Sequence, residues 1–326
     1  MATTSLITGV TGQDGSYLAE LLVEKEHKVV GVARRSSTIT TTRLDHLLFP
    51  SEKIELVYGD LGNGLDSIIY EYKPDFIFNL ASMSHVRVSY DVPIYTMDTN
   101  ATGPTRILEA IRSMGLKDKT RFYQASSSEM FGMSPPPQME DTPFHPCSPY
   151  GVAKLAAYWM TKTYRDGYGL FASNGILFNH ESPRRGETFV TKKIVRGAVR
   201  IMLGKQDKLV LGNLDAKRDW GHSKDYMEAI IKILEHDTPD DFVVATGEHY
   251  SIKDFLQKVF VKLNLDWEKH VEYNAKYTRP KEVPALLGNP AKINRVLDWK
   301  PKIKIDQLVA EMIEDTLQEE KNENDK

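Results

Sequence analysis

Tyr150-Gly151-Val152-Ala153-Lys154 sets a phenol and an ammonium four residues apart. On a helix that spacing is one turn, so both groups face the same way. A cation beside a phenol favours the phenolate and moves tyrosine toward use as a general base. Ser126-Ser127-Ser128-Glu129 lies upstream, at the end of a strand-like run. A serine hydroxyl there can orient the oxygen that the tyrosine deprotonates. Glu129 adds a carboxylate. A ketone reductase needs none at that place, whereas an elimination beside a newly formed carbonyl needs a base for the acidified carbon. Glu129 also has a plain alternative as the cap of a local loop.

A second constellation sits near the start. Thr8-Gly9-Val10-Thr11-Gly12-Gln13-Asp14-Gly15 separates an apolar strand from an amphipathic helix. Glycines permit a tight turn and close backbone approach, and the helix start offers free N–H groups and partial positive charge to a pyrophosphate. The second strand ends in Ala33-Arg34-Arg35-Ser36-Ser37, where an NAD-preferring protein usually carries an acid. Arginine pairs with a 2′-phosphate, so the cofactor is expected to be NADP(H), held by Arg34 with Arg35, Ser36 and Ser37. A solvated basic pair is the alternative. Asp60-Leu61 follows the third strand, where an acid can meet the adenine amino group. Leu80-Ala81-Ser82-Met83-Ser84 follows the fourth, on the nicotinamide side.

These residues need a scaffold. Short apolar segments at Ser5–Thr8, Val29–Val32, Ile54–Tyr58, Phe76–Leu80 and Arg121–Ala125 read as strands. Helical patterns lie between them, with a long helix expected over Ile94–Met114 and another over Tyr150–Tyr164. Such alternation predicts right-handed crossovers and a parallel sheet with ligands at the carboxyl ends of its strands. The second half is less regular, with helices expected near Lys192–Leu203, Lys224–Glu235, Ile252–Leu263 and Ile305–Leu317. Glu319 to Lys326 reads as a frayed tail.

The 326 residues suit one nucleotide-binding domain plus a smaller lobe. The chain is 41% hydrophobic and 27% charged, ordinary for a globular protein. A net charge of −3 gives no general pull toward nucleic acid or anionic membranes. The single cysteine, Cys147, rules out a disulfide framework within one chain and reads as a packing residue. No apolar run approaches the roughly 20 residues that span a bilayer. The start carries no basic-then-apolar export pattern, so a cytoplasmic protein is expected. No spaced His/Cys/Asp set argues for a metal.

The serine, tyrosine and lysine after a Gly-x-x-Gly-x-x-Gly turn resemble the extended short-chain dehydrogenase/reductases. Within them, five stretches resemble the GDP-mannose 4,6-dehydratase family. They are Gly9-Val10-Thr11-Gly12-Gln13-Asp14-Gly15-Ser16-Tyr17, Arg34-Arg35-Ser36-Ser37, Asn179-His180-Glu181-Ser182-Pro183-Arg184-Arg185-Gly186, Lys217-Arg218-Asp219-Trp220-Gly221-His222 and Arg279-Pro280-Lys281-Glu282-Val283. The resemblance runs nearly end to end. Ser127, Phe131 and Asp298 depart from it, since the family usually has threonine, tyrosine and glycine there. Serine keeps the hydroxyl but lacks the methyl that fixes its rotamer.

The resemblance implies an α/β, Rossmann-type doubly wound parallel sheet with a smaller C-terminal α/β substrate lobe. Residues 1–179 would form the dinucleotide domain, with about 215–247 returning to it, and 180–326 mainly the substrate lobe. It implies that GDP-mannose is oxidised at C4, loses water across C5 and C6, and regains hydride at C6, giving GDP-4-keto-6-deoxymannose with NADP retained. Tyr150 and Lys154 would act at C4, Ser127 beside them, and Glu129 at C5 and C6. His180, Arg185, Tyr150 and Lys154 would contact the cofactor, and we place Tyr95 in the same set. Asn179, Lys193, Arg218, Arg279, Glu282 and Ser84 would contact substrate. Bland alternatives stand beside these: His180 as a satisfied loop histidine, Arg184 and Arg185 as a solvated pair, Arg218 with Asp219 as a structural ion pair. Ser36 to Arg43 would reach a neighbouring subunit, making a homodimer or homotetramer.

Three rivals remain at this level. One is another sugar-nucleotide dehydratase or epimerase of the same superfamily. A second is a bifunctional enzyme that also reduces the 4-keto product with NADPH. The third is a non-catalytic NADP sensor, which could dispense with Tyr150 and Lys154.

Overall fold

The computed structural model describes residues 2–50, 52–277 and 279–322. Seven strands form its central sheet: β1 (Thr4–Thr8), β2 (Lys28–Ala33), β3 (Ile54–Tyr58), β4 (Phe76–Asn79), β5 (Arg121–Ser127), β6 (Phe171–Leu177) and β7 (Asp241–Val244). Their order is β7-β6-β5-β4-β1-β2-β3, and every pairing is parallel. The direction of winding reverses between β1 and β4. A crevice opens there, beyond the carboxyl ends.

The pleat sends neighbouring residues to opposite faces. Ile7, Phe78 and Tyr123 pack on one side with α1 (Gln13–Glu24) and the helix Ser223–Glu235. Leu6, Ile77 and Phe122 pack on the other with the helices Leu65–Tyr72 and Gly103–Ser113. Each such buried apolar side chain contributes about 1.5–3 kcal/mol over an exposed one. The sheet is thereby fixed between two helical layers.

A separate core lies under the second half. Ile194, Val195 and Ala198 of the helix Val190–Met202 meet Phe255 and Val259 of Ile252–Lys262, and Leu308 and Met312 of Ile305–Asn322. Short strand pairs stitch this lobe together. Asn179–Glu181 runs parallel to Trp220–His222, and Lys217–Arg218 runs antiparallel to Tyr250–Ser251.

Three local details differ from the sequence expectation. The segment expected as one long helix is Pro93–Met97, a π-helical turn Asp98–Thr102, then Gly103–Ser113. Pro104 lacks the N–H that would continue a regular ladder. The last helix runs to Asn322, past the expected fraying point, because Glu320 is buried and paired with Arg196, Arg200 and Lys205. Residues 323–326 lie outside the described residues. Strands β6 and β7 fall outside the expected set. Their Ser173, Asn174, Gly175 and Asp241 carry little strand signal, yet Asn174 Nδ2 donates to Asp241 Oδ1 at 2.8 Å inside the sheet. No helix among the described residues is long and apolar enough to cross a membrane.

Candidate active site

The glycine turn leaves β1 at the switch point. Gly9 has φ +72°, and a Cβ there would lie 2.9 Å from Ala81 Cα. A Cβ on Gly15 would lie 2.4 Å from Gly9 O. Both positions therefore require glycine, which permits the tight turn at the start of α1. Thr11, Gly12, Gln13 and Asp14 complete the turn and the first helical residues. Asp14 Oδ2 lies 2.9 Å from His180 Nε2, and Ser223 Oγ donates to Asp14 Oδ1 at 2.7 Å. Gln13 Nε2 donates to the His180 carbonyl at 3.1 Å, and Ser182 Oγ donates to Gln13 Oε1 at 2.8 Å.

The tyrosine and lysine are set by a capped helix, Pro149–Tyr168. Ser148 Oγ accepts from Gly151 N at 3.0 Å and Pro149 occupies the first turn, the usual start of a helix. Tyr150 N donates to Ser89 Oγ at 3.2 Å. One turn on, buried Lys154 donates from Nζ to the Ala125 carbonyl at 2.9 Å and lies 5.8 Å from the Tyr150 ring centroid. Burial pushes the Tyr150 phenol up to about 12, against a hydrogen bond with Ser127 and the positive charge of Arg185. Burial brings the Lys154 ammonium down to about 8, against the pull of Asp14. At the phenol, burial outweighs the neighbouring positive charge.

Ser127 ends β5, and its Oγ accepts from Glu129 N at 3.2 Å. This places buried Glu129 in the short 3-10 turn Ser128–Met130. Glu129 Oε1 accepts from Arg279 Nη1 at 3.2 Å. The same Nη1 lies 3.7 Å from Glu282 Oε1, which in turn lies 3.2 Å from Arg218 Nη2. Burial works against the Arg279 charge, but Glu129 and Glu282 hold its guanidinium above the ordinary range. Arg218 is buried, and its Nη1 donates to the Val283 and Lys217 carbonyls at 2.9 Å. It does not pair with Asp219. That carboxylate instead accepts from Thr246 N, Gly247 N and Gly288 N.

Other expected residues spread along the rim. Arg34 is exposed, its Nη1 donating to Tyr95 Oη at 3.1 Å and its Nε 4.0 Å from Asp60 Oδ2. Arg35 lies over the Tyr58 ring, 5.9 Å to the centroid, and Ser36 Oγ lies 3.0 Å from Thr38 Oγ1. Ser37 and Ser84 are exposed, and Leu61 is buried. Leu80 is half-buried beside the core. Neither Arg184 nor Arg185 is a free solvated cation. Arg184 meets Ser16, Glu20 and the Tyr17 ring, and Arg185 meets Glu181 and the Phe189 ring. Lys193 donates to the Val210 carbonyl at 2.7 Å, with its Nζ 3.7 Å from the Tyr277 centroid. Asn179 Oδ1 is buried without a protein partner.

The structure adds residues that the motifs did not point to. Asn100, in the π turn, accepts at Oδ1 from Ser82 Oγ and Met83 N and donates to the Met83 carbonyl, pinning the loop after β4. A buried ladder crosses the strand ends. Thr8 Oγ1 donates to Asn79 Oδ1 at 2.6 Å, Asn79 Nδ2 to Gln124 Oε1 at 2.8 Å, and Gln124 Nε2 to the Ala125 carbonyl at 3.0 Å. That carbonyl is also the Lys154 acceptor, so the ladder joins the glycine turn to the catalytic helix. Asn79 and Gln124, polar residues within apolar strands, were its only sequence signal.

The glycine turn at Gly9 and the helix start beyond it fit an anionic dinucleotide. The chain matches the family profile described as GDP-mannose 4,6 dehydratase over residues 6–312. It is 50% identical over 328 residues to GDP-mannose 4,6 dehydratase 1 of Arabidopsis thaliana, covering 98% of this chain and 91% of that one. It is 49% identical to the Homo sapiens GDP-mannose 4,6 dehydratase, covering 95% and 90%. It is 46% identical to the Yersinia enterocolitica GDP-mannose 4,6-dehydratase, covering 97% and 94%. Among solved structures it is similar to a Bacillus anthracis dTDP-glucose 4,6-dehydratase in complex with NAD, with TM-score 0.84, 22% identity and coverage of 99% and 98%. It is also similar to a Bacillus cereus UDP-glucuronic acid 4-epimerase, with TM-score 0.85, 20% identity and coverage of 97% and 99%. At such identities these two likenesses speak for the fold.

Proposed function

The chain belongs to the GDP-mannose 4,6-dehydratase family, and from that premise we propose how its residues remove water from GDP-mannose. The activity is that of a hydro-lyase acting on a nucleotide sugar, giving GDP-4-keto-6-deoxymannose. Its cofactor is a nicotinamide dinucleotide, which we assign as NADP on Arg34, Arg35, Ser36 and Ser37. When bound, the dinucleotide would supply reversible hydride transfer, from C4 and back to C6, with no net change over a turnover. Gly9, Thr11, Gly12, Gln13, Gly15, Asp60, Leu61, Leu80, Ala81, Ser82, Ser84, Tyr95, His180 and Arg185 would surround it. Residues 1–179 with about 215–247 form the dinucleotide part, and the remainder forms the substrate part.

Tyr150 takes the proton of the C4 hydroxyl, after losing its own. Lys154 and Arg185 are the cations that favour that loss. The Ser127 hydroxyl, bonded to the phenol, orients the oxygen. Once C4 is a carbonyl, the C5 proton is acidic, and Glu129 removes it. Glu129 then gives that proton to the departing C6 hydroxyl, which leaves as water. C5 later regains one proton, which balances the one that Tyr150 took from the C4 hydroxyl, so Tyr150 and Glu129 both end the cycle as they began. Arg279 and Arg218, held here by Glu129 and Glu282, would meet the substrate diphosphate. Asn179 and Lys193 complete the substrate side.

The observation that carries this reading is a buried carboxylate, Glu129, set by the same strand end that presents Ser127 to Tyr150. Mass spectrometry tests it: GDP-mannose incubated with the protein and no added reductant should lose one water, and unchanged substrate would defeat the reading. A later gain of two hydrogens with added NADPH would reveal the further reductase activity. For assembly, we propose a homodimer or homotetramer through 36–43. Ile39 there is 81% exposed, while Arg43 fixes the segment by donating to the Thr11 and Arg184 carbonyls. Sedimentation of wild type against Ile39→Asp tests this assignment.

A further inference from the structure

Asp14 stands in the first turn of α1, whose free backbone N–H groups would meet the pyrophosphate. A carboxylate there opposes an anionic ligand. The structure resolves the conflict. His180 Nε2 lies 2.9 Å from Asp14 Oδ2, and the other ring nitrogen, Nδ1, lies 2.7 Å from the Phe178 carbonyl oxygen. A carboxylate and a carbonyl only accept. Both ring nitrogens must therefore donate, and the ring is an imidazolium. It stacks on Tyr226, with centroids 4.8 Å apart and planes 30° apart.

The electrostatics agree with the geometry. Burial opposes the His180 charge, but Asp14 holds its pKa above the ordinary value. Burial likewise raises Asp14, but His180, Ser223 and Arg185 hold it well below. The charged and titratable groups around the pair come from several elements. Arg185 lies on the loop after Asn179–Glu181, Tyr226 on the helix Ser223–Glu235, and Tyr123, Tyr150 and Lys154 feel the Asp14 charge from β5 and the helix Pro149–Tyr168.

We propose that His180 is a positioning residue that neutralises Asp14, so that the glycine turn retains its anionic dinucleotide through turnover. The proposal rests on the NADP assignment above. Two further contacts hold the pair in place. Ser223 donates to the same carboxylate from its own helix, and Gln13 donates to the His180 carbonyl from α1. His180 would thus act on the cofactor through Asp14, which is separable from a direct contact.

The test measures dissociation. Holoprotein loaded with NADPH is chased with excess NADP, and the fall in NADPH fluorescence gives the rate. His180→Gln leaves a bare carboxylate and should raise the rate at least about tenfold. Asp14→Asn should stay within about threefold of wild type, and Asp14→Asn/His180→Gln should return to that range. A double variant as fast as His180→Gln would overturn neutralisation through Asp14 and leave a direct contact. A tenfold rise in Asp14→Asn alone would also overturn it, and this readout stands even where His180→Gln fails to fold. Rates are taken without GDP-mannose. Absence of water loss from GDP-mannose in wild type would therefore count against the activity alone.

Discussion

Arg279 Nη1 lies 3.2 Å from Glu129 Oε1, joining residues 150 apart in the chain. Glu129 is fixed by β5 and Arg279 by a loop of the second lobe, so the contact closes the site across both halves. An arginine assigned to the substrate diphosphate is here bound to the carboxylate assigned to proton transfer. Arg279→Met should lower kcat/KM for GDP-mannose by roughly 10–100-fold, the range of a hydrogen bond to a charged group. Arg279→Lys should recover part of this, since it restores charge but not the planar fork. Steady-state kinetics of the two variants check it, and wild-type values for Arg279→Met would remove the residue from the site.

Arg34 bears on cofactor choice. Its side chain is 71% exposed, and its nearest acid, Asp60, is 4.0 Å away. At that distance and exposure the pair holds little energy, leaving the guanidinium available to a phosphate. Arg34→Ala should weaken NADP binding by at least about tenfold and NAD by less than about threefold. Titration of the stripped protein with each dinucleotide would show it. Equal losses would return Arg34 to a solvated cation.

The dinucleotide turn, the Tyr150–Lys154 helix and Glu129 were legible because their chemistry is local. Each is set by a few neighbouring residues: glycines at Gly9 and Gly15, the Ser148 cap, the Ser127 bond to Glu129 N. What was not legible is long-range. Asn100 and Gln124 look like misplaced polar residues until the fold brings Met83 and Ala125 to them. Asp219 sits next to Arg218 in sequence, yet the strand sends its carboxylate to Thr246, Gly247 and Gly288, away from its neighbour. Strand β6 is hidden in the sequence because its polar residues are satisfied by partners far along the chain, such as Asp241.

The departure at Asp298 finds its physical meaning in the backbone. It caps the helix Ala291–Leu297 with φ +45° and ψ +48°, the left-handed region that glycine adopts without strain. An aspartate tolerates this better than most residues but still carries a Cβ. Asp298→Gly should therefore stabilise the protein by about 0.5–1 kcal/mol, raising Tm by about 2 °C. Calorimetry at neutral pH would decide it. A lower Tm would mean that the freer unfolded chain of the glycine variant outweighs the relieved cap.

Asp219 predicts a pH dependence of stability. It is wholly buried and accepts four hydrogen bonds, including one from Thr246 Oγ1 at 2.6 Å. Burial nevertheless outweighs those donors and pushes its pKa up to about 6, from an ordinary value of 3.8. The folded state then holds a proton that the unfolded chain releases earlier. Its contribution to stability is full below about pH 4 and is lost as pH rises through about 6. Two units correspond to about 3 kcal/mol. The stability difference between wild type and Asp219→Asn, from denaturant unfolding between pH 4 and 7, should therefore shift against wild type by roughly that amount. The amide of the variant cannot titrate, so its curve carries the pH dependence of everything else. A difference that stays flat or moves toward wild type would show that the four donors, rather than burial, control this carboxylate.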